Sequence, residues 1–132
     1  MYLSFLLLSA LVGSTIGCSC IFPPLLSDSF AQTPIIFIGR VIATNVTQSN
    51  PFMGYADMTM EVEEAFKGTV AGAQITVRTN LQGAMCGFGG IPVGTRWQLW
   101  LTESKSANIC SRSTRDADRD LDELRKLSAN SL

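Results

Sequence analysis

Histidine is missing from all 132 residues, and charge is sparse: ten Lys and Arg against eleven Asp and Glu leave a net charge of -1. The first absence excludes Ser-His-Asp and Cys-His catalysis and every imidazole-based metal site. The near-neutral balance gives no electrostatic reason to expect nucleic acid or an anionic membrane as partner. Long apolar runs are scarce too. The one that stands out, Leu3 to Val12, spans ten residues and is too short to cross a bilayer as a helix. Small residues follow it, Gly13-Ser14-Thr15-Ile16-Gly17, with Thr15 and Gly17 at the third and first positions before Cys18. Residues 1–17 therefore read as a signal peptide, although no Lys or Arg occurs before Arg40. Cleavage after Gly17 leaves a single secreted domain, residues 18–132, long enough to bury one modest core.

Cysteine occurs four times, at Cys18, Cys20, Cys86 and Cys110. An even count in a small exported chain implies disulfides, and four cysteines allow three connectivities. A Cys18–Cys20 bridge would close a very tight, strained ring and is discounted. Both remaining connectivities tie the N-terminal Cys-Ser-Cys to two distant points. Each such bridge removes about 4 kcal/mol of unfolded-state freedom in the chain-entropy treatment. A zinc site of the chain's own is not expected, because one Cys-x-Cys and two distant single cysteines lack the usual paired spacing.

The rest of the chain reads as strands with turn signals between them. Pro23-Pro24 excludes helix and central strand over Ile21 to Leu26, and Leu25 to Phe30 suits a short helical turn. Ile35 to Val46 is apolar on both faces, Ile36, Ile38 and Ile42 against Ile35, Phe37 and Val41, as in a long central strand. Gln48 to Gly54 holds Ser-Asn-Pro and Gly and reads as a loop. Tyr55 to Val62 alternates cleanly, with Met58, Met60 and Val62 opposite Asp57, Thr59, Glu61 and Glu63. Lys67-Gly68 and Ala71-Gly72 bracket a turn, and Gln74 to Thr79 turns Ile75 and Val77 inward. Trp97, Leu99 and Leu101 mark a strand after Pro92-Val93-Gly94, and Asn108-Ile109-Cys110 a short last one. Ser113 or Thr114 would cap a closing helix with Ala117, Leu121, Leu124 and Leu127 on one face. Several short strands followed by a helix predict a mainly β fold, a five-stranded Greek-key barrel of the OB type with a C-terminal helix. Asn45-Val46-Thr47 is an acceptor sequon, read as sitting near a strand end, and makes Asn45 a candidate for N-glycosylation.

Taken together, Cys18-Ser19-Cys20 at the processed N-terminus, the strand Ile35-Phe37-Gly39-Val41, the turn Phe66-Lys67-Gly68, the segment Met85-Cys86-Gly87 and Pro92-Val93-Gly94 before an aromatic strand resemble the N-terminal domain of the tissue inhibitors of metalloproteinases, the netrin-like branch of the OB fold. The most specific part is the Cys-x-Cys start with a distant Cys-Gly. The resemblance implies the connectivity Cys18–Cys86 and Cys20–Cys110. It also implies a secreted inhibitor of zinc metalloendopeptidases of the matrix metalloproteinase kind, acting as a monomer and with no cofactor of its own. In that mechanism the free amine and carbonyl of Cys18 chelate the partner's catalytic zinc at the position a water would fill. Ser19 enters the neighbouring specificity pocket. Cys20, Ile21 and Phe22 lie along the cleft as a substrate-like strand, and Gly83, Ala84 and Met85 add a second contact segment. Phe22 stands where the family has a proline, and no cysteines are present for the family's third disulfide in this domain.

Three other readings compete. A non-inhibitory extracellular binding module of the same netrin-like fold would share everything except the chelating wedge. A lipoprotein would need Thr15-Ile16-Gly17-Cys18 to serve as a lipobox, but the usual leucine is missing and lipidation would leave one of the other cysteines unpaired. An enzyme is not expected: Asp57, Glu61 and Glu63 on one exposed strand face form a solvated surface rather than a paired acid and base.

Overall fold

The computed structural model describes residues 20, 25–51, 53–82, 87–89, 91–108 and 110–131. Its elements, in chain order, are helix α1 (Leu26–Gln32), strands β1 (Ile35–Asn50), β2 (Met53–Lys67), β3 (Gln74–Asn80) and β4 (Arg96–Leu101), and helix α2 (Leu121–Asn130). The strands form one antiparallel sheet in the order β3-β2-β1-β4 that curls into a half-barrel. The fold is thus mainly β with a C-terminal helix, as the residue pattern predicts.

The curl comes from the register of the β1–β2 pair. Slips between Ile36 and Phe37, Ile38 and Gly39, Val41 and Ala43, and Gln48 and Asn50 leave Phe66, Glu63, Ile42 and Ser49 without an opposite residue. An extra residue on one strand bends it and increases its local twist. Gly39 fits this bend tightly, since a Cβ there would lie 2.8 Å from the Glu61 carbonyl and 2.9 Å from the Phe37 ring.

Burying β1 on both faces divides the core in two. Phe37, Val41, Met58, Met60, Val62, Ile75, Val77, Trp97, Leu99 and Leu101 fill the concave side. Ile36, Ile38, Phe66 and Trp100 turn outward and are covered by Phe30 of α1, by Ala117 and by Leu124 of α2. Polar contacts pin both helices there. Lys67 Nζ donates to the carbonyls of Phe30 (2.7 Å) and Ala31 (3.1 Å) at the end of α1, where the helix leaves carbonyls unpaired. Arg125 of α2 forms a two-point ion pair with Glu64, at 2.9 Å for each bond, and Ser128 Oγ donates to the Phe66 carbonyl.

Several expectations are corrected. The span Gln48 to Gly54 is not a loop: β1 continues to Asn50 and β2 begins at Met53, so the chain reverses between those two residues. The Ser-Asn-Pro signal marks a tight hairpin reversal, which needs only these few residues. The short fifth strand over 108–110 does not form among the described residues. Asn108 Oδ1 instead accepts the N–H groups of Cys110 (2.8 Å) and Ser111 (3.1 Å), a side-chain turn that competes with strand pairing. Two isolated bridges flank that turn. Ser106 joins β3 in parallel at Arg78, and Thr114 joins β4 antiparallel at Gln98.

The last helix begins later than its apolar spacing suggests, at Leu121, without a side-chain cap, and Asp120 before it is in the left-handed region at φ 54°. The cause is Gln98 on β4. Its buried amide donates to the carbonyls of Ala117 (3.1 Å) and Arg119 (2.8 Å), which a helix starting at 114 would use internally. Its oxygen accepts from Trp100 Nε1 at 2.7 Å, so all its hydrogen-bonding capacity toward the core is used.

Candidate functional site

Cys20 is joined to Cys110, with Cα atoms 5.2 Å apart and 90 residues between them in sequence. This matches the pairing that the family resemblance implies for these two residues. Both cysteines are exposed on the rim of the half-barrel. The Cys110 side of the bond is a braced frame. Below the Asn108 turn, Ser111 Oγ donates to the Asn108 carbonyl (2.8 Å) and lies 2.9 Å from Ser113 Oγ, which accepts the N–H of Trp100 on β4 (2.9 Å). Cys20 is therefore linked through a short hydroxyl relay to the most buried strand of the sheet.

Helix α1 is tied to the same frame. Arg112, two residues past Cys110, donates from Nε to Ser29 Oγ of α1 at 2.9 Å and lies 5.8 Å from the centre of the Trp100 ring. Phe30 is buried against the outer core. Cys20, through the disulfide, and α1 are thus both anchored to one scaffold. A cavity of about 270 Å³ opens beside the disulfide, lined by Cys20, Leu26, Trp100, Cys110, Arg112 and their neighbours.

A second anchored segment flanks residues 83–86. Leu81 N–H donates to Gly54 O (3.1 Å), Gly87 N–H to Gln82 O (3.2 Å), Gly89 N–H to Asn80 O (3.2 Å) and Phe88 N–H to Thr79 Oγ1 (3.0 Å). Gly87 is required at this crossing, where a Cβ would fall 1.7 Å from the Asn80 carbonyl oxygen. Phe88 then meets Trp97 edge to face, with ring centres 5.2 Å apart. Residues 81–82 and 87–89 are therefore fixed to β3 and β2 by hydrogen bonds.

Of the residues expected to engage a protease, the structure describes Cys20. Cys18, Ser19, Ile21, Phe22, Gly83, Ala84, Met85 and Cys86 lie outside the described residues, and with them the Cys18–Cys86 pairing and the chelating group. Asn45 is exposed on β1 opposite Asp57. It lies within the strand rather than near its end, because the hairpin is longer than its turn residues suggest.

Three carboxylates on the sheet, Asp57, Glu63 and Glu64, are engaged by arginines. Asp57 takes a two-point ion pair from Arg78 (2.8 and 2.9 Å), whose guanidinium also stacks 3.7 Å from the Tyr55 ring centre. Glu63 bridges Arg96 (2.7 Å) and Arg40 (3.2 Å). Hydrogen bonds from Arg78, Arg96 and Arg125 hold the carboxyls of Asp57, Glu63 and Glu64, respectively, below the ordinary carboxylate range. A general acid needs the opposite shift. Among the described residues no group of three or more His, Cys, Asp or Glu is placed to hold a metal ion, and no helix is long and apolar enough to cross a membrane.

The contributions of Arg112, Gln98 and Asn108 were not visible as functional features of the sequence. Only Asn108 carried a usable signal, an Asn two residues before a cysteine in a Ser-rich stretch, which favours a side-chain turn. No protein-family model matches the chain, and no curated protein matches it.

Proposed function

We propose that the chain is a secreted inhibitor of zinc metalloendopeptidases of the tissue-inhibitor type, with a five-stranded Greek-key OB-type barrel as its scaffold. The observation that carries this reading is the Cys20–Cys110 bond, which crosslinks the segment next to the prospective N-terminus to the barrel rim. The barrel reading is supported by the two isolated bridges. Arg78 N–H donates to Lys105 O and Ala107 N–H to Arg78 O, both at 3.0 Å, while Gln98 and Thr114 exchange bonds at 2.9 Å. The segment 105–114 therefore reaches from the β3 edge to the β4 edge, the path a fifth strand takes when it closes such a barrel.

In the proposed mechanism, Cys18 becomes the first residue once residues 1–17 are removed. Its α-amine and carbonyl form a five-membered chelate on the protease's zinc and displace the bound water. An α-amino pKa of about 7.7–8.0 means that deprotonation costs little at neutral pH. An untethered terminus would lose much ordering entropy on binding, and the crosslinks reduce that loss beforehand. Ser19 occupies the pocket beside the zinc, and Ala84 and Met85 make the second contact.

The test is inhibition of peptide hydrolysis by a zinc-dependent matrix protease. The chain beginning at Cys18 should inhibit, and the same chain with one alanine before Cys18 should not. Equal inhibition by the two forms would overturn the chelation mechanism.

A further inference from the structure

The two long strands leave one edge open. β4 pairs with β1 only from Ile35 to Arg40, and the segment before β4 follows for one more residue, through Val41 N–H to Thr95 O (3.0 Å) and Gly94 N–H to Val41 O (2.7 Å). Thr44 Oγ1 still reaches the Ile91 carbonyl (3.1 Å). Beyond it, Asn45 to Gln48 and Asn50 pair with β2 on one side, with Ser49 bulged between them, and among the described residues no strand lies on the other.

Edge strands in stable monomers are normally blunted by Lys, Pro, an inward charge or a covering loop. The run Asn45-Val46-Thr47-Gln48-Ser49 has neither Pro nor charge, and all five residues are exposed. Apolar surface accompanies it, with Val46 half exposed (50%) and Met53 at the hairpin end similarly so (52%). We propose that this edge is a self-association site: a second copy of the chain adds its own Asn45–Ser49 edge antiparallel to the first, making one continuous sheet of eight strands across a twofold axis at Thr47.

The segment is complementary to itself in that register. Thr47 meets Thr47, Val46 meets Gln48, and Asn45 meets Ser49, so no like charges are opposed. Thr–Thr is also one of the favourable cross-strand pairs. The twofold is the symmetry such a contact requires, because one patch serves both partners. Alternation of backbone groups supplies the hydrogen bonds, as in strand addition generally. A contact of this length falls short of the roughly 1,200 Å² of a standard stable interface, so the dimer is weak and forms at high concentration. It departs from the monomeric state expected from the sequence.

Sedimentation analysis of the disulfide-bonded chain carrying Asn45→Gln, so that no glycan occupies the edge, tests this from about 10 µM to about 1 mM, the range in which a small interface becomes populated. The average mass should rise from one chain toward two, and hydrogen exchange of the 45–49 amides should slow in parallel. Thr47→Lys in the same background opposes two ammonium groups on the axis. It should keep the chain single at every concentration, with an unchanged melting temperature. A mass that stays at one chain overturns the proposal. So does association undiminished by Thr47→Lys, or slowed exchange confined to another region. Slowed exchange at 45–49 caused by an added uncharged strand-forming peptide, without self-association, would assign the edge to a foreign strand and overturn it equally.

Discussion

Cys20 and Cys110 bond across 90 residues, and the turn that carries Cys110 is hydrogen-bonded through Ser111 and Ser113 to Trp100 on β4. Cys20 and the interior of the sheet are thereby one mechanical unit. Replacing both cysteines with serine is expected to lower unfolding free energy by about 4 kcal/mol, the loop-closure entropy for a ring of this size. Urea denaturation measures it. A loss below about 1 kcal/mol would mean that the crosslink adds little to the frame.

Gln98 is the next anchor. Changing it to leucine keeps the volume but leaves the Ala117 and Arg119 carbonyls and the Trp100 indole N–H without partners. Each stranded group costs about 1–3 kcal/mol. Stability should fall by roughly 3 kcal/mol, with hydrogen exchange rising first over residues 114–120. Leu124→Ala, which opens a void under α2, should cost about 2–5 kcal/mol without that local signature.

The pH dependence follows from three depressed carboxyls. Asp57, Glu63 and Glu64 have folded-state pKa values lowered chiefly by hydrogen bonds from Arg78, Arg96 and Arg125. A lowered folded-state value contributes stability that is fully present above the unfolded value and is lost as pH falls through the folded one. Stability should therefore decline below about pH 4. With no histidine in the chain, it should be nearly flat from about pH 5 to 8. Glu64→Gln should weaken the acid decline. An inflection near pH 6.5 would contradict this assignment.

Ser19 gives a test of the proposed inhibition. Ser19→Arg places a long cation where a small hydroxyl is expected beside the zinc. It should weaken inhibition at least about tenfold, a change of about 1.4 kcal/mol, while leaving the melting temperature unchanged. Unaltered potency would place Ser19 outside the pocket.

Much of the fold was legible because it rests on local periodicity. Two-sided burial of β1 followed from Ile36 and Ile38 against Phe37 and Val41, and the helix face from Leu121, Leu124 and Leu127. The misses share a cause. Ile42 was expected to share the apolar face of Ile36 and Ile38, yet it is 39% exposed, because the bulge that strands it depends on pairing with β2. The start of α2 was read too early, since Gln98, 19 and 21 residues away from its carbonyl partners, outcompetes the helix for them. At the candidate site the cysteines were visible as residues. The brace around them was not: Arg112 and Ser29 are 83 residues apart, and no local pattern links them.

Inhibition as proposed depends on one nitrogen, the α-amine of Cys18. The most direct measurement is mass spectrometry of the exported protein before and after reduction, with mapping of its crosslinked peptides. The account predicts a first residue Cys18 with an unmodified amine, joined to Cys86, and Cys20 joined to Cys110. A first residue other than Cys18, an acylated amine, or Cys86 found as a free thiol would contradict it.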